Sequence, residues 1–438
     1  MPDAPNLLIA PRWVVPVEPE GVVLEGHAVA LRDGRIEAVL PADEARRRFA
    51  DYAVLELSEH ALIPGLVNAH THAAMSLMRG IADDMSLMHW LHEHIWPAEA
   101  KHVSPHFVKD GTLLACAEML RGGTTCFNDM YFFPEAAVEA ALEANMRASV
   151  GAIVIEFPSS YAADPDDYLR KGLALRDRYG EQRLLSFCLA PHAPYTVGDE
   201  SFARVAKLAA ELELPVHVHV HETADEIARS EAEHGTRPLE RLRRLGLLDP
   251  GLIAVHAVHL SDAEIDLLAR NGCSVAHCPS SNLKLASGFA PAAALLKAGV
   301  NLALGTDGAA SNNRLDMLQE MRTAALLAKG VATDAEAMPA HAALRAATLG
   351  GAQALGLDAR IGSIVPGKEA DLAAVDFGSP ELRPCYDVIS HVVYAAGREN
   401  VSHVWVAGRL VLKDKVLQGS AFDDLDRRCA KWQEALSQ

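Results

Sequence analysis

The chain has 438 residues, of which half are hydrophobic and 22% are charged, a composition typical of globular proteins. Its formal net charge of -18, with no basic tract, argues against nucleic acid or an acidic membrane surface as a partner. No apolar run approaches the roughly 18 residues of a membrane helix. The N-terminal segment lacks the pattern of a secretory signal, and seven scattered cysteines fit a reducing compartment, so we expect a cytoplasmic protein.

The two ends of the chain share one pattern of short strands and turns. NLLIAP, WVVPV and VALRDGRIEAVL lie near the start, and Asp33-Gly34 is a favourable hairpin turn. VSHVWVAGRLVLKDKVL lies near the end and has the same character. We therefore expect residues 1–60 and 361–438 to form one small β-sandwich domain, with a helix at the C-terminus.

Between these ends, short apolar strands alternate with helix-length segments, the pattern of parallel strands joined by crossover helices. Eight strands are predicted: ALIPGLVNAH, TTCFNDM, ASVGAIVIE, LLSFCLAPH, PVHVHVH, LIAVHAVH, CSVAHCPS and VNLALGTDG. Eight such units approach the roughly 250 residues typical of a (β/α)8 barrel. We therefore predict an α/β fold, with a TIM-type (β/α)8 barrel over residues 61–360.

Polar side chains gather where these predicted strands end. Active sites of this barrel are built on that face, from strand ends and the loops that follow them. The residues at these positions are His70, His72, Asp129, His192, His219, Glu222, His256 and Asp307.

The first strand ends in His70-Thr71-His72. Side chains alternate along a strand, so both imidazoles point to the same face, here the barrel interior. Two buried histidines with satisfied hydrogen bonds are the alternative to a metal site. The preceding run LIPGLVNA and the polar residues on later strands favour the metal site.

The fifth strand carries His217, His219 and His221 on one face, followed by Glu222. Only positions near the end of the strand reach the barrel mouth, so His217 is expected in a buried layer. Glu222 is off the alternating register and faces the site only if the strand has ended before it. Asp307 ends the eighth strand between two glycines, and its alternative role is the N-cap of the next helix.

The combination of PGLVNAHTH, HVHVHET, HAVHLS, AHCPSSNLKL and LGTDGAASNN resembles the amidohydrolase superfamily, specifically its branch of methylthioadenosine and S-adenosylhomocysteine deaminases. The resemblance covers nearly the whole chain. It implies that His70, His72, His219 and Asp307 bind the metal and that His192 contacts the substrate. It also selects His256 over His259 as the catalytic histidine, a choice that spacing leaves open.

The implied ligand set, rich in nitrogen with one carboxylate, suits zinc, with iron, manganese and nickel as alternatives. The fourth strand ends in CLAPHAPYT without the lysine that bridges two metals in related enzymes, so one ion per subunit is expected. In the implied reaction, Asp307 and His256 hold the proton of the attacking water. Glu222 carries a proton to N1 of the purine and then towards the departing ammonia.

The resemblance assigns Glu99, in Trp96-Pro97-Ala98-Glu99, to the ribose hydroxyls, where the alternative is an exposed helical glutamate. Glu222 and Asp307 would also touch the substrate. The stretch from Ala148 to Leu169 contains no Lys or Arg to meet the carboxylate of S-adenosylhomocysteine. Methylthioadenosine or adenosine is therefore expected to be favoured.

Two competing hypotheses keep the barrel but change its use. One is a guanine deaminase or triazine chlorohydrolase, which Glu99 disfavours because a free base has no ribose. The other is a non-catalytic binding protein, which would have lost some of these polar groups. We expect a homo-oligomer, by family likeness, that acts on a small nucleoside.

Overall fold

The structure is a computed structural model that describes residues 6–437. Its strands build two sheets, one from the ends of the chain and one from its middle. The strands are β1 (Leu7–Val14), β2 (Leu24–Glu25), β3 (His27–Arg32), β4 (Arg35–Pro41), β5 (Ala53–Pro64), β6 (Leu66–Thr71), β7 (Thr124–Asp129), β8 (Arg147–Val154), β9 (Leu185–Pro191), β10 (Val216–Val220), β11 (Leu252–His256), β12 (Ser274–His277), β13 (Asn301–Leu304), β14 (Leu372–Asp376), β15 (Val401–Val406), β16 (Arg409–Lys413) and β17 (Val416–Leu417).

Helices follow most strands of the middle section, and a π-helical turn over Leu91–Ile95 joins the second helix to the third. The α-helices are α1 (Ala42–Arg48), α2 (Leu87–Trp90), α3 (Trp96–His102), α4 (Pro105–Arg121), α5 (Pro134–Glu143), α6 (Pro165–Tyr179), α7 (Asp199–Leu212), α8 (Ala224–His234), α9 (Pro238–Arg244), α10 (Asp262–Arg270), α11 (Pro279–Lys284), α12 (Ala292–Lys297), α13 (Ala309–Asn312), α14 (Met317–Ala332), α15 (Ala340–Ala346), α16 (Leu349–Ala354), α17 (Val388–Tyr394) and α18 (Leu425–Leu436).

The middle strands β6 to β13 form an eight-stranded sheet of parallel neighbours in chain order. Nearly every residue of these strands is buried, as in parallel sheets that helices cover. Asp307 N–H donates to the His70 carbonyl (3.0 Å), and Asn68 bonds the Thr306 backbone and hydroxyl, so the last strand meets the first. The predicted (β/α)8 barrel is confirmed.

The predicted β-domain from both termini is present as one continuous nine-stranded mixed sheet. β5 and β14 pair antiparallel at its centre, which joins the two ends of the chain. The first predicted barrel strand starts later than expected, at Leu66, because Ala61–Pro64 continue β5 in this sheet. Gly65 separates the two strands, where a Cβ would lie 2.2 Å from the Thr125 hydroxyl.

A buried ion cluster connects the terminal β-sheet to the barrel, at the end where the barrel strands begin. Arg147, at the start of β8, is 1% exposed and bonds both oxygens of Asp371 at 2.9 Å. Its second terminal nitrogen also bonds Glu369 at 2.8 Å. This geometry satisfies charges that would otherwise be costly to bury.

The helix α18 packs against α4, as Trp432 Nε1–H donates to Asp110 (2.9 Å) and its ring meets Phe107 edge-on. The described part of the chain therefore closes with a helix packed on the barrel. Within residues 6–437, no helix combines the length and hydropathy needed to cross a membrane.

Candidate active site

A cavity of about 560 Å³ opens at the end of the barrel where its parallel strands terminate. Its size falls within the range of small-molecule sites. Histidines and carboxylates from several strand ends lie at its floor, and its walls are mainly apolar. The wall residues include Met75, Leu87, Trp90, Ile95, Trp96, Ile153, Ile155, Phe157 and Leu285.

The ends of β6 and β13 place three donor atoms together. His70 Nε2 lies 3.1 Å and His72 Nε2 lies 3.3 Å from the same oxygen of Asp307, Oδ1. Thr71, between the two histidines, points away and donates to the Asn128 carbonyl. This alternation agrees with the shared face predicted for His70 and His72.

The hydrogen bonds of these histidines orient their rings. His72 Nδ1 donates to the Met130 carbonyl at 2.6 Å, which leaves Nε2 directed at Asp307. His70 Nδ1 lies 2.9 Å from Nε2 of His217, the residue predicted in a buried layer. Metal-binding histidines commonly use the second ring nitrogen in this way.

Asp307 is held by four groups on its two oxygens. Ser281 and Ser311 donate to Oδ2 at 2.7 and 2.6 Å, which leaves Oδ1 to the histidines. Burial alone would raise the pKa of this carboxyl, but the hydrogen bonds from His70 and His72 hold it well below its usual value. Gly305 approaches His70 so closely that a Cβ would lie 2.8 Å from the His70 Cβ.

In the metal-free protein, the two histidines beside Asp307 differ in charge. Burial lowers the pKa of His70 to about 4, so this ring is neutral at pH 7. Burial also opposes charge on His72, but the Asp307 hydrogen bond and charge outweigh it and raise the pKa to about 9. A metal ion at His72 must therefore displace a proton.

β10 brings His219 to the same floor. Its Nδ1 donates to the His192 carbonyl at 2.7 Å, so its Nε2 carries a free lone pair, 3.2 Å from His70 Nε2. Burial lowers the pKa of His219 well below its usual value, so the ring is neutral. His192 itself lines the cavity, with its ring 4.9 Å from that of His219.

His192 also has a fixed tautomer. Thr196 donates its single hydroxyl proton to the Ala193 carbonyl (3.2 Å) and accepts from His192 Nδ1 (2.9 Å). His192 therefore presents an accepting Nε2. Burial lowers its pKa to about 3, which keeps the ring neutral.

Glu222 faces the cavity because β10 ends at Val220 and His221 adopts a left-handed φ of 58°. This turn is the condition on which the sequence prediction depended. Glu226 accepts from the backbone N–H of both His221 and Glu222, which fixes the turn. Burial raises the pKa of Glu222 above its usual value.

His256 ends β11 with Nε2 3.8 Å from Glu222 Oε2. Its Nδ1 donates to Asn282 Oδ1 at 2.8 Å, which directs its Nε2 towards the site. Its φ of 69° is a left-handed conformation, which in a histidine is uncommon and frequent at functional sites.

The donors at the floor fit a divalent metal ion. His70, His219, His256 and Asp307 each offer a ligand atom, all within 4.8 Å of one another. His72 is outside this group, although its Nε2 shares Asp307 Oδ1 with His70. Nitrogen-rich donor sets with one carboxylate suit zinc.

Glu99 lies on α3 in the cavity wall, half-buried, rather than on an exposed helix face. Tyr131, which sequence reasoning did not identify, donates to its Oε1 at 2.7 Å. Burial raises the pKa of Glu99 to about 7, although the Tyr131 hydrogen bond opposes the shift.

Asp129, which ends β7 on the same face, does not join the donors. Its Oδ1 accepts from the Ala73 N–H at 2.7 Å and lies 3.1 Å from the Thr71 hydroxyl oxygen. It therefore fixes the chain on either side of His72. Asn282 and Ser281 follow β12 in the AHCPSSNLKL motif, and only the structure shows which groups they hold.

The comparison with protein families matches the description "Amidohydrolase family" over residues 61–411. The chain belongs to the amidohydrolase family. The matched range includes the whole barrel and its polar floor. The candidate functional groups lie at strand ends of a TIM-type barrel, on the face where this fold carries active sites.

Individual relatives of this amidohydrolase cover nearly its full length. A 5-methylthioadenosine/S-adenosylhomocysteine deaminase of Saccharophagus degradans is 46% identical over 428 residues, 98% of this chain and 96% of that protein. The crystal structure of an adenosine deaminase from Xanthomonas campestris with bound zinc is 53% identical, with a TM-score of 0.97 and complete coverage of both chains. An atrazine chlorohydrolase from Arthrobacter aurescens, 24% identical with a TM-score of 0.89, covers 98% of this chain and 100% of its own, and shares the fold.

Proposed function

We propose that this amidohydrolase is a zinc-dependent deaminase of adenosine-type nucleosides, which it converts to the inosine-type product and ammonia. One observation carries the proposal: a single cavity joins a metal-type donor cluster and Glu222 at its floor to Glu99 in its wall. The names of the similar proteins, which include an adenosine deaminase with bound zinc, support the same chemistry.

His70, His72, His219 and Asp307 would hold one zinc ion per subunit. In this assignment His256 is the histidine left free, because its Nε2 is the one beside Glu222. When bound, zinc would supply Lewis acidity that lowers the pKa of water to about 7.

Different residues around the ion carry out the separate proton transfers of the reaction. Water adds to C6 of the purine, and Asp307 and His256 hold the proton that the water gives up. Glu222, whose raised pKa favours the protonated form, delivers its proton to N1, receives the proton held at Asp307 and His256, and passes that proton to the amino group. The C6 hydroxyl gives up its proton as the carbonyl of the product forms, and this proton returns to Glu222. The C6–N bond breaks and ammonia leaves with its electron pair, which restores the aromatic ring of the product.

The rest of the nucleoside is recognised farther up the cavity. Glu99 accepts hydrogen bonds from the ribose hydroxyls, and His192, with its accepting Nε2, contacts the ring near the exocyclic amine. Glu222 and Asp307 also touch the purine. A guanine deaminase or triazine chlorohydrolase would have no ribose to bind at Glu99.

The preferred 5′ substituent is apolar and uncharged, as in methylthioadenosine. Within residues 6–437 the cavity lining contains no Lys or Arg, and its ionisable groups are carboxylates, histidines and two tyrosines. The carboxylate of S-adenosylhomocysteine would lose water there without gaining a cation. Since a hydrogen bond to a charged group contributes about 1.5–3 kcal/mol, kcat/KM for methylthioadenosine should exceed that for S-adenosylhomocysteine by roughly 10-fold or more.

Metal removal tests the catalytic proposal. Protein stripped with a chelator should convert no adenosine to inosine, and stoichiometric zinc should restore conversion followed by chromatography. Equal activity before and after metal removal would contradict the zinc mechanism. A metal-loaded protein that leaves every adenosine-type nucleoside unchanged would contradict the substrate class.

The remaining features of the molecule complete the proposal. Both ends of the chain build one β-domain beside the barrel, and the first boundary between the two lies at Gly65 rather than at residue 61, because Ala61–Pro64 belong to β5. The enzyme acts in the reducing cytoplasm, consistent with seven free cysteines, five of them buried. It is a homo-oligomer, which light scattering on the purified chain tests, and a monomeric mass would contradict that assignment.

A further inference from the structure

Tyr131 is a buried phenol in the cavity wall that the proposed proton transfers do not use. It follows β7 by two residues, is 4% exposed and lies beside His72, with ring centroids 6.4 Å apart. Its hydroxyl is the group that contacts Glu99, with an Oη to Oε1 distance of 2.7 Å.

The direction of this hydrogen bond is fixed. A carboxylate only accepts, so the single phenolic proton points from Tyr131 to Glu99 Oε1. Oε2 and the remaining lone pair of Oε1 stay available to two neighbouring hydroxyls of a ribose. The bond therefore sets the rotation of the carboxylate without consuming its capacity for the sugar.

Glu99 needs such an anchor because its own helix is weakly held. α3 has seven residues and none of them is fully buried, and it follows a π-helical turn rather than a regular helix. Tyr131, in contrast, continues directly from a fully buried barrel strand. The hydrogen bond thus ties a surface helix to the rigid part of the site.

We propose that Tyr131 is a positioning residue for nucleoside recognition, holding the Glu99 carboxylate in the orientation that accepts the ribose hydroxyls. The inference rests on the proposed function, since it requires a ribose at Glu99. The phenol also favours the ionised form of Glu99, whose pKa burial raises to about 7.

The test compares two substrates that differ only in the sugar hydroxyls, adenosine and 2′,3′-dideoxyadenosine. Steady-state kinetics are measured at pH 8 for the zinc-loaded wild type, Tyr131→Phe, Glu99→Gln and the double variant. Tyr161→Phe is the matched control, because Tyr161 is also buried and packs on Phe133, with ring centroids 5.3 Å apart. Thermal unfolding of each variant verifies that the fold is retained.

For Tyr131→Phe we expect KM for adenosine to rise about 10-fold with kcat within about 2-fold, the loss expected for a hydrogen bond to a charged group. The same variant should match the wild type on the dideoxy substrate. In the Glu99→Gln background, Tyr131→Phe should add no further loss, since the two residues act through one contact.

Three results would overturn the role of Tyr131: an unchanged KM for adenosine, an equal rise for both substrates, or a full additional loss in the Glu99→Gln background. The proposed function fails in a separate way. If Glu99→Gln itself does not distinguish adenosine from the dideoxy substrate, the assignment of Glu99 to the ribose is wrong, and the role of Tyr131 is overturned with it.

Discussion

Lowering the pH should weaken nucleoside binding through Glu99. The carboxylate must be ionised to accept hydrogen bonds from two ribose hydroxyls. Burial raises its pKa to about 7, whereas a solvent-exposed glutamate titrates near 4.5. The shift is upward, so the ionised form is present above pH 7 and is lost as the pH falls through that value.

The expected size of the effect follows from this pKa. With a pKa of about 7, the ionised fraction is roughly 90% at pH 8 and 10% at pH 6, so KM for adenosine should rise about 10-fold between them. The assay is steady-state conversion of adenosine by the zinc-loaded enzyme, with zinc content measured at each pH. Glu99→Gln should bind adenosine less tightly at pH 8 and show a KM that no longer changes over this range.

Two results would refute this reasoning. A KM for adenosine that stays constant from pH 8 to pH 6 would mean that Glu99 does not bind the sugar as a carboxylate. A pH-dependent KM that persists in Glu99→Gln would assign the titration to another group. Loss of zinc at pH 6 would identify the metal site, rather than Glu99, as the cause.

Five further substitutions probe the rest of the site and the fold. Glu222→Gln should retain zinc and substrate binding but lose at least about 100-fold in kcat, the usual contribution of an acid–base group, and an active variant would exclude the shuttle. His72→Ala should be isolated with substoichiometric zinc whereas His256→Ala keeps one equivalent, and the reverse pattern would exchange the two roles. His217→Leu should weaken zinc affinity about 10- to 100-fold by freeing the His70 ring, and unchanged affinity in a metal titration would contradict that. Arg147→Ala removes the guanidinium that pairs with the buried Asp371 carboxylate, whereas Glu369 keeps Arg183 and Arg360. It should lower the free energy of unfolding at pH 7 by about 3–5 kcal/mol, and a urea titration showing less than about 1 kcal/mol would contradict a tight buried pair.

The barrel and the metal-type donors are predictable from the sequence for a simple reason. Parallel strands that are buried on both faces appear in the sequence as apolar runs with abrupt ends. Polar residues at the C-terminal ends of these runs are expected on the active-site face of the barrel. His70 and His72 are two apart on such a strand, so alternation alone orients them. The orientation of Glu222 was harder to predict, because Glu222 faces the site only if the strand ends before it. The turn at His221 meets that condition, and the sequence alone did not establish it.

The contacts that hold these groups were not predictable, because they join distant parts of the chain. Tyr131 meets Glu99 across 32 residues, and His256 meets Asn282 across 26. The local periodicity of the sequence, which indicates helices and strands, does not indicate contacts between such distant residues. The start of β6 was predicted too early for a related reason: Ala61–Pro64 are as apolar as a barrel strand, but they pair with β14 instead.

Deamination of an adenosine-type nucleoside is tested most directly by ammonia release from the zinc-loaded enzyme. Methylthioadenosine, S-adenosylhomocysteine, adenosine, guanine and a chlorotriazine are offered side by side, and chloride is measured for the last. Turnover confined to the adenosine compounds, with methylthioadenosine ahead of S-adenosylhomocysteine, is the predicted result. Activity on guanine or the triazine, with none on the nucleosides, would contradict the reading of the cavity and of Glu99.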